Sequence, residues 1–364
     1  MSLDAARFAD LLVGYCLDVQ PSEEVLVRST TLAEPLLLEV QRAILARDAW
    51  PLLRVELPGS TAAFHEHARD VHLDGFPEVS FAEARKAHCQ LAIQAPENTR
   101  ALTGIEPERL ARAGRARKPL RDQLMKKRWC STLWPTQANA QHAGMSLAAF
   151  EAFVERALFL DQPDPVRSWG ELRAFQAQLI ARLEHGKELR IQAPGTDLRL
   201  GVGGRTWVNS DGRRNMPSGE VFTGPHENSA SGRIQFDLPS SPAGVEVSGV
   251  TLELRDGEVI GARAEKGDEY LRHALATDDG ARRIGEVGIG TNFGIQQPVG
   301  AILFDEKIGG TVHVALGRSY PETGGKNESA LHWDLICDLR TGGRISVDGW
   351  TIAEDGRFQR TDDR

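Results

Sequence analysis

The sequence predicts a two-domain protein of mixed α and β structure: an N-terminal α/β domain with a largely parallel sheet, then a β-rich domain. Three observations predict it. The chain has 364 residues, more than one ordinary hydrophobic core organises, so two domains are expected. In the first half, short apolar strands alternate with amphipathic helical stretches, the rhythm of parallel strands with helices on their faces. Glycine then changes density: of 36 glycines, 29 lie at Gly186 or later and seven before it. From there the chain breaks into short alternating runs between Gly, Asp and Pro turns. The expected domains are 1–185 and 186–364.

The elements follow in order. Residues 5–16 carry Phe8, Leu11, Leu12 and Tyr15 at helical spacing. Glu24-Val-Leu-Val-Arg-Ser is a first strand, 36–46 an amphipathic helix, Pro51-Leu-Leu-Arg-Val-Glu-Leu a second strand and Gln90-Leu-Ala-Ile-Gln-Ala a third apolar run. Residues 107–127 are expected to be mostly helical but broken or kinked at Pro119, which has no N–H to donate. Helices are expected over 146–158 and 169–183, the second stopped by Gly186 as a C-cap. In the second half, Glu188-Leu-Arg-Ile-Gln, 244–254, 257–264 and 311–316 read as strands, and 269–276 as the clearest helix.

Composition narrows the function. Apolar content of 41% and charged content of 26% are ordinary for a soluble globular protein. A net charge of −8 gives no reason to expect nucleic acid as a partner. No apolar run reaches the roughly 18 residues a membrane span needs, so no membrane partner is expected. The first residues include acids and lack a basic n-region, so no secretory signal is expected either. Cys16, Cys89, Cys130 and Cys337 are far apart and form no CxxC. That argues against a structural zinc site or a disulfide framework and for free thiols in a reducing cytoplasm.

The chemistry concentrates late in the chain. His313-Val-Ala-Leu-Gly-Arg-Ser-Tyr320 is followed by His332-Trp-Asp334. In a strand, residues i and i+2 share a face, so His332 and Asp334 project together with Trp333 opposite. An imidazole and a carboxylate sharing a direction suit a metal, although a hydrogen-bonded strand-face pair has the same pattern. Upstream, Glu220 follows Pro217 and Gly219, and Glu286 lies between glycines in Arg283-Ile-Gly-Glu-Val-Gly. Flanking glycine suggests close approach of backbone or ligand. Alone, each glutamate reads as a surface residue. Three carboxylates and two imidazoles in one domain suit a pair of divalent ions about 3.5–4 Å apart.

Other motifs carry less. His65-Glu-His-Ala-Arg-Asp-Val-His72 fails as HExxH because Arg69 stands where the second ligand belongs. Gly288-Ile-Gly-Thr-Asn-Phe-Gly294 has GxGxxxG spacing without the acidic residue of a dinucleotide site. The basic stretch from Arg109 to Arg128 has interleaved leucines and reads as a charged helix face.

Three long segments together resemble a known family: Asn215-Met-Pro-Ser-Gly-Glu-Val-Phe-Thr, Glu286-Val-Gly-Ile-Gly-Thr-Asn, and residues 304–336 from Phe-Asp-Glu-Lys-Ile-Gly-Gly through His332-Trp-Asp-Leu-Ile. They are similar to the aminopeptidase T / aminopeptidase S family of metallo-exopeptidases. Pro96-Glu-Asn, Trp134-Pro-Thr-Gln-Ala-Asn-Ala-Gln and Asp161-Gln-Pro-Asp-Pro-Val-Arg-Ser-Trp169 extend the resemblance into the first half. The resemblance implies a dinuclear site on Glu220, Glu286, His313, His332 and Asp334, with Tyr320 alongside. It also implies a homodimer, with the N-terminal domain helping to enclose the active site. His226 lies in a divergent stretch and is not expected to be a ligand, though it could line the cavity.

The expected activity is removal of the N-terminal residue from peptides with a free N-terminus by a metal-activated water. The expected cofactors are two divalent ions, Zn, Co or Mn, with Mg also possible. Glu286 or Glu220 would serve as ligand and proton acceptor, and which one bridges is open in the sequence. Tyr320 would donate to the oxyanion or contact a metal. The alternatives are an amidase or deacylase with the same site, and a non-catalytic peptide-binding homologue.

Overall fold

The structure is a computed structural model and describes residues 3–359. Its contacts divide the chain into two units: Met1–Arg167 with Gly212–Pro217, and Ser168–Asp211 with Ser218–Arg364. The first unit is α/β and the second is β-rich, the expected fold class.

The first unit contributes β1 (Glu24–Thr30), β2 (Trp50–Glu56), β3 (Cys89–Gln94) and β4 (Arg128–Leu133). The chain then makes β5 (Glu188–Ala193), β6 (Thr196–Gly201) and β7 (Val208–Ser210) in the second unit. It returns to the first for the two-residue β8 (Asn215–Met216). The first-unit sheet runs β2-β1-β3-β4-β8 with every pair parallel. Its inner strands bury Val25, Leu26 and Val27 on β1 and Cys89, Leu91 and Ile93 on β3. They read as apolar runs because both faces of a parallel sheet are covered.

The helices show local physics directly. Asp4 caps the first helix, Ala5–Asp10, by accepting from the Ala6 and Arg7 amides, and the chain continues as a π-helical turn over Leu11–Cys16. The expected 107–127 helix is two helices, Pro107–Ala116 and Lys118–Met125. Pro119 sits in the first turn of the second, where a missing N–H leaves no intrahelical bond unmade. The basic stretch is ion-paired, Arg112 to Asp70 and Asp74, Arg115 to Glu108, and Lys118 to Asp122.

The second unit adds β9 (Glu220–Thr223), β10 (Ser231–Gln235), β11 (Thr251–Arg255), β12 (Glu258–Arg263), β13 (Ile284–Gly290), β14 (Thr311–Gly317), β15 (His332–Asp338), β16 (Arg344–Val347), β17 (Trp350–Glu354) and β18 (Arg357–Phe358). One antiparallel sheet has the order β12-β11-β10-β6-β5-β16-β17-β18, the other β15-β14-β13-β9-β7. Leu189, Ile191, Leu198 and Leu252 from the first sheet and Val287, Ile289, Val312, Val314 and Leu335 from the second share one core. Three hairpins turn on Asp-Gly pairs, Asp256-Gly257, Asp348-Gly349 and Asp355-Gly356, each with positive φ at both residues. That is the type I′ geometry which matches strand twist.

Two expectations are corrected. The helix Pro165–Leu183 buries Leu179 and Leu183 in the β-rich core, so the chain enters the second unit at Ser168 rather than at 186. Gly186 does not take the left-handed conformation of a C-cap. It is small for another reason: a Cβ there would lie 2.0 Å from Val347 Cγ1. Within 244–254, only Thr251–Arg255 forms a strand, and the helix near 269–276 spans Asp268–Leu275. All four cysteines are buried and none is in a disulfide. No helix among the described residues is long and apolar enough to cross a membrane.

Candidate metal centre

Strand register assembles the site. In the β15-β14-β13-β9 part of the five-stranded sheet, Glu220 pairs with Gly290, Gly288 with His313, Glu286 with Ala315, Ala315 with Asp334, and Gly317 with His332. Successive side chains alternate between faces, so Val287, Ile289, Val312, Val314, Trp333 and Leu335 enter the core. Glu220, Glu286, His313, His332 and Asp334 share the other face. The middle positions are small. Ala315 lies between Glu286 and Asp334, and Gly288 lies under the His313 imidazole, where a Cβ would fall 2.1 Å from ring Cε1 and 2.2 Å from Nε2.

Both imidazoles are aimed from behind. His313 Nδ1 lies 3.0 Å from the Glu306 carbonyl oxygen and His332 Nδ1 lies 2.8 Å from that of Arg318. A carbonyl only accepts, so Nδ1 carries the proton and the Nε2 of a neutral ring presents a lone pair. His313 Nε2 faces Glu220 Oε2 at 3.3 Å and Glu286 Oε1 at 3.5 Å. His332 Nε2 faces Glu286 Oε2 and Asp334 Oδ2, each at 3.6 Å. Two donor groups result, Glu220–Glu286–His313 and Glu286–His332–Asp334, with the ligand atoms of each group within 4.8 Å of one another. Around a tetrahedral ion with bonds of about 2.0–2.2 Å, neighbouring donors lie about 3.3–3.6 Å apart. The residues therefore fit divalent ions. Glu220 Oε2 is buried without a hydrogen bond although His313 Nε2 is close, as a carboxylate oxygen facing a lone pair would be.

Charge points the same way. Burial pushes Glu220 up to about 7; Lys307 and His313 oppose the rise, while Glu306 and Glu286 add to it. Burial likewise raises Asp334 to about 6, with Glu306 and Glu286 adding to the rise and His332 and His313 opposing it. Burial alone would lower His313, but Glu286 and Glu220 reverse this and push it up to about 10. The face favours positive charge between its carboxylates, from a proton or from a metal ion.

Neighbouring residues complete the arrangement. The Tyr320 ring meets the His332 imidazole edge-on at 5.1 Å between centroids and Phe222 at 5.8 Å. Burial, with Glu286, Asp334 and Glu306, holds its phenol well above its ordinary range, so it stays an O–H donor. Three residues escaped the sequence reading. Lys307 is fully buried, with Nζ in contact with Glu306 Oε1 and 3.4 Å from Glu220 Oε1. Glu306 supplies both that contact and the carbonyl that orients His313. Gln176, buried on the helix Pro165–Leu183, donates from Nε2 to the Glu220 carbonyl and Thr291 Oγ1, each at 3.0 Å. A signal for Lys307 was present, a charged Asp-Glu-Lys set between Phe304, Ile308 and a double glycine. Gln176 gave none.

The discounted motifs stay apart from the centre. His226 Nε2 meets the Gly203 carbonyl at 2.8 Å, and neither it nor His65, His67 or His72 belongs to a donor group among the described residues. The segment from Gly288 lies on β13, antiparallel to both neighbours, not at a strand–helix turn of a nucleotide fold. Gly288→Ala is expected to displace the His313 ring and weaken divalent-metal binding roughly 10- to 100-fold, as loss of a supporting contact does. Chelator competition measures this, and unchanged affinity would contradict the packing role of Gly288.

The sequence matches the thermophilic metalloprotease (M29) family over residues 3–358. Aminopeptidase 2 of Geobacillus stearothermophilus is 30% identical, over 96% of this chain and 94% of that protein. Aminopeptidase T of Thermus thermophilus is 31% identical, over 75% and 74%. The solved structure of wild-type AmpT from Thermus thermophilus superposes with a TM-score of 0.84 at 26% identity, covering 98% of this chain and 99% of that one. A 2,5-dihydroxypyridine dioxygenase from Pseudomonas putida KT2440 shares the fold at a TM-score of 0.64 and 16% identity. The match along nearly the whole chain settles the assignment: this protein belongs to the thermophilic metalloprotease (M29) family.

Proposed function

We propose that this metalloprotease is an aminopeptidase that hydrolyses the first peptide bond of substrates with a free N-terminus, using two divalent ions. Glu220, Glu286 and His313 would hold one ion; Glu286, His332 and Asp334 would hold the other. The observation that carries the proposal is the shared carboxylate. Glu286 directs Oε1 toward His313 and Oε2 toward His332, the disposition of a bridging ligand. Bound there, divalent ions polarise a carbonyl and lower the pKa of water toward neutrality. Imidazole nitrogen and carboxylate oxygen suit Zn, Co or Mn; Mg, which favours an oxygen octahedron, suits the donors less well.

The chain's own residues divide the remaining work. His313 and His332 keep their lone pairs forward through their Nδ1 bonds. Glu286 and Glu220, the latter with one oxygen 3.4 Å from Lys307 Nζ, are the carboxylates placed to take the proton released when water attacks the scissile carbonyl. The Tyr320 O–H donates to the carbonyl oxygen as negative charge develops there. The substrate's free α-amine would meet an ion or a carboxylate of the centre, which favours attack at the first residue. Relatives named aminopeptidases favour this activity over an amidase or deacylase, and the complete donor set opposes a metal-free binding role. A homodimer in the cytoplasm completes the proposal; four buried cysteines outside any disulfide are in keeping with a reducing compartment.

Glu286→Gln is expected to leave a folded protein that binds at most one ion per chain and loses hydrolysis of leucine p-nitroanilide. Metal analysis and the assay on one sample check this; two ions with full activity would refute the bridge. Tyr320→Phe is expected to lower kcat roughly 10²- to 10³-fold with bound metal unchanged. Loss of metal in that variant would instead make the phenol a ligand.

A further inference from the structure

Next to the centre is a cavity of about 290 Å³ that the metal ligands leave open, with His332 and Asp334 forming one side. Its remaining walls are mainly apolar, from Leu238, Pro239, Pro242, Ile302 and Ile336. Ile336 lies two residues beyond Asp334 on β15 and pairs with His313, so it shares the ligand face of the sheet. One strand thus carries both ligands and a cavity wall.

The cavity is built rather than incidental. The 238–242 loop is fastened to β15: the Trp333 indole N–H donates to Ser240 Oγ at 2.9 Å, and the Leu238 amide donates to the Ile336 carbonyl at 3.4 Å. On the other side, Asp305 is buried, and its two carboxylate oxygens accept from the Val299 and Gly300 amides at 2.8 and 2.9 Å. That carboxylate is occupied by the backbone it shapes and holds the turn leading into Ile302. The volume falls just under the range of about 300–1,000 Å³ typical of sites for whole small molecules. It accommodates one side chain.

We infer that this cavity receives the side chain of the substrate's N-terminal residue and selects large aliphatic and aromatic ones, a role that rests on the aminopeptidase activity proposed above. The substrate's α-amino group and scissile carbonyl would both lie at the centre, beside His332 and Asp334. Cα is bonded to both, so the side chain nearest those two residues is the first residue's own. Apolar walls remove its surface from water, and the two wall carboxylates are already engaged, Asp305 by backbone amides and Asp334 in the centre, so a charged side chain there would lose hydration without a free partner.

The test measures kcat/KM of the metal-loaded full chain on p-nitroanilides of Leu, Phe, Gly, Lys and Glu. Leu and Phe are expected to exceed Gly roughly 10- to 100-fold, the discrimination given by burying one large apolar side chain, and to exceed Lys and Glu as well. Ile302 is 47% exposed at the rim, so Ile302→Glu alters the cavity without disturbing the core. It is expected to shift the Leu-to-Lys ratio at least tenfold toward Lys, with bound metal unchanged. Equal rates on Leu and Gly, a preference for Lys or Glu in the unaltered protein, or a ratio unmoved by Ile302→Glu would overturn the cavity's role while leaving the aminopeptidase activity intact. Failure to cleave any of the five would overturn the activity itself, and the cavity's role with it.

Discussion

Glu220, Glu286, Glu306 and Asp334 crowd a buried region around the ligand face of one sheet, with one ammonium, Lys307, and two imidazoles among them. Carboxylates gathered away from water repel one another and lose hydration, and both effects disfavour their charged forms. Burial and mutual repulsion raise Glu220 and Asp334, while His313 is raised by the carboxylates it faces. The arrangement favours added positive charge, and two divalent ions would supply it. Much else in the second unit reads as support for this. The Glu306 and Arg318 carbonyls fix the ring tautomers, Lys307 steadies Glu220, and Gln176 grips the Glu220 backbone.

The sheet supplies the precision. Because side chains alternate along a strand, a slip of one residue in β13, β14 or β15 would send a ligand into the core and a valine or leucine to the centre. The apolar residues between the ligands, Val287, Val314 and Leu335 among them, hold that register by packing against the larger sheet. Gly288 and Ala315 then leave the space in which rings and carboxylates converge. The same fold also belongs to a dioxygenase of low sequence identity. Architecture alone therefore does not give the reaction, and the donor set and its surroundings decide it.

Much of the site was legible because its residues sit in short strands with period-two spacing. His332 and Asp334 could be placed on one face, and Trp333 on the other, from their spacing alone. Glu220 and Glu286 are a different case. Each looks like a surface residue until the family motifs are read together, since nothing local shows that β9 and β13 lie side by side. Lys307, Glu306 and Gln176 act through tertiary contacts and carry no periodic signal. The unit boundary was hidden because the helix Pro165–Leu183 looks like any amphipathic helix, and only its partner core shows where it belongs. At Gly186 the sequence does not distinguish a helix stop from a close side-chain approach, since both call for glycine.

Anomalous diffraction from crystals of the zinc- or manganese-loaded protein would show whether Glu286 joins two ions. Two peaks roughly 3.5–4 Å apart are expected, both bonded to Glu286, one also to Glu220 and His313 and the other to His332 and Asp334. A single peak, or two peaks of which only one touches Glu286, would contradict the bridge.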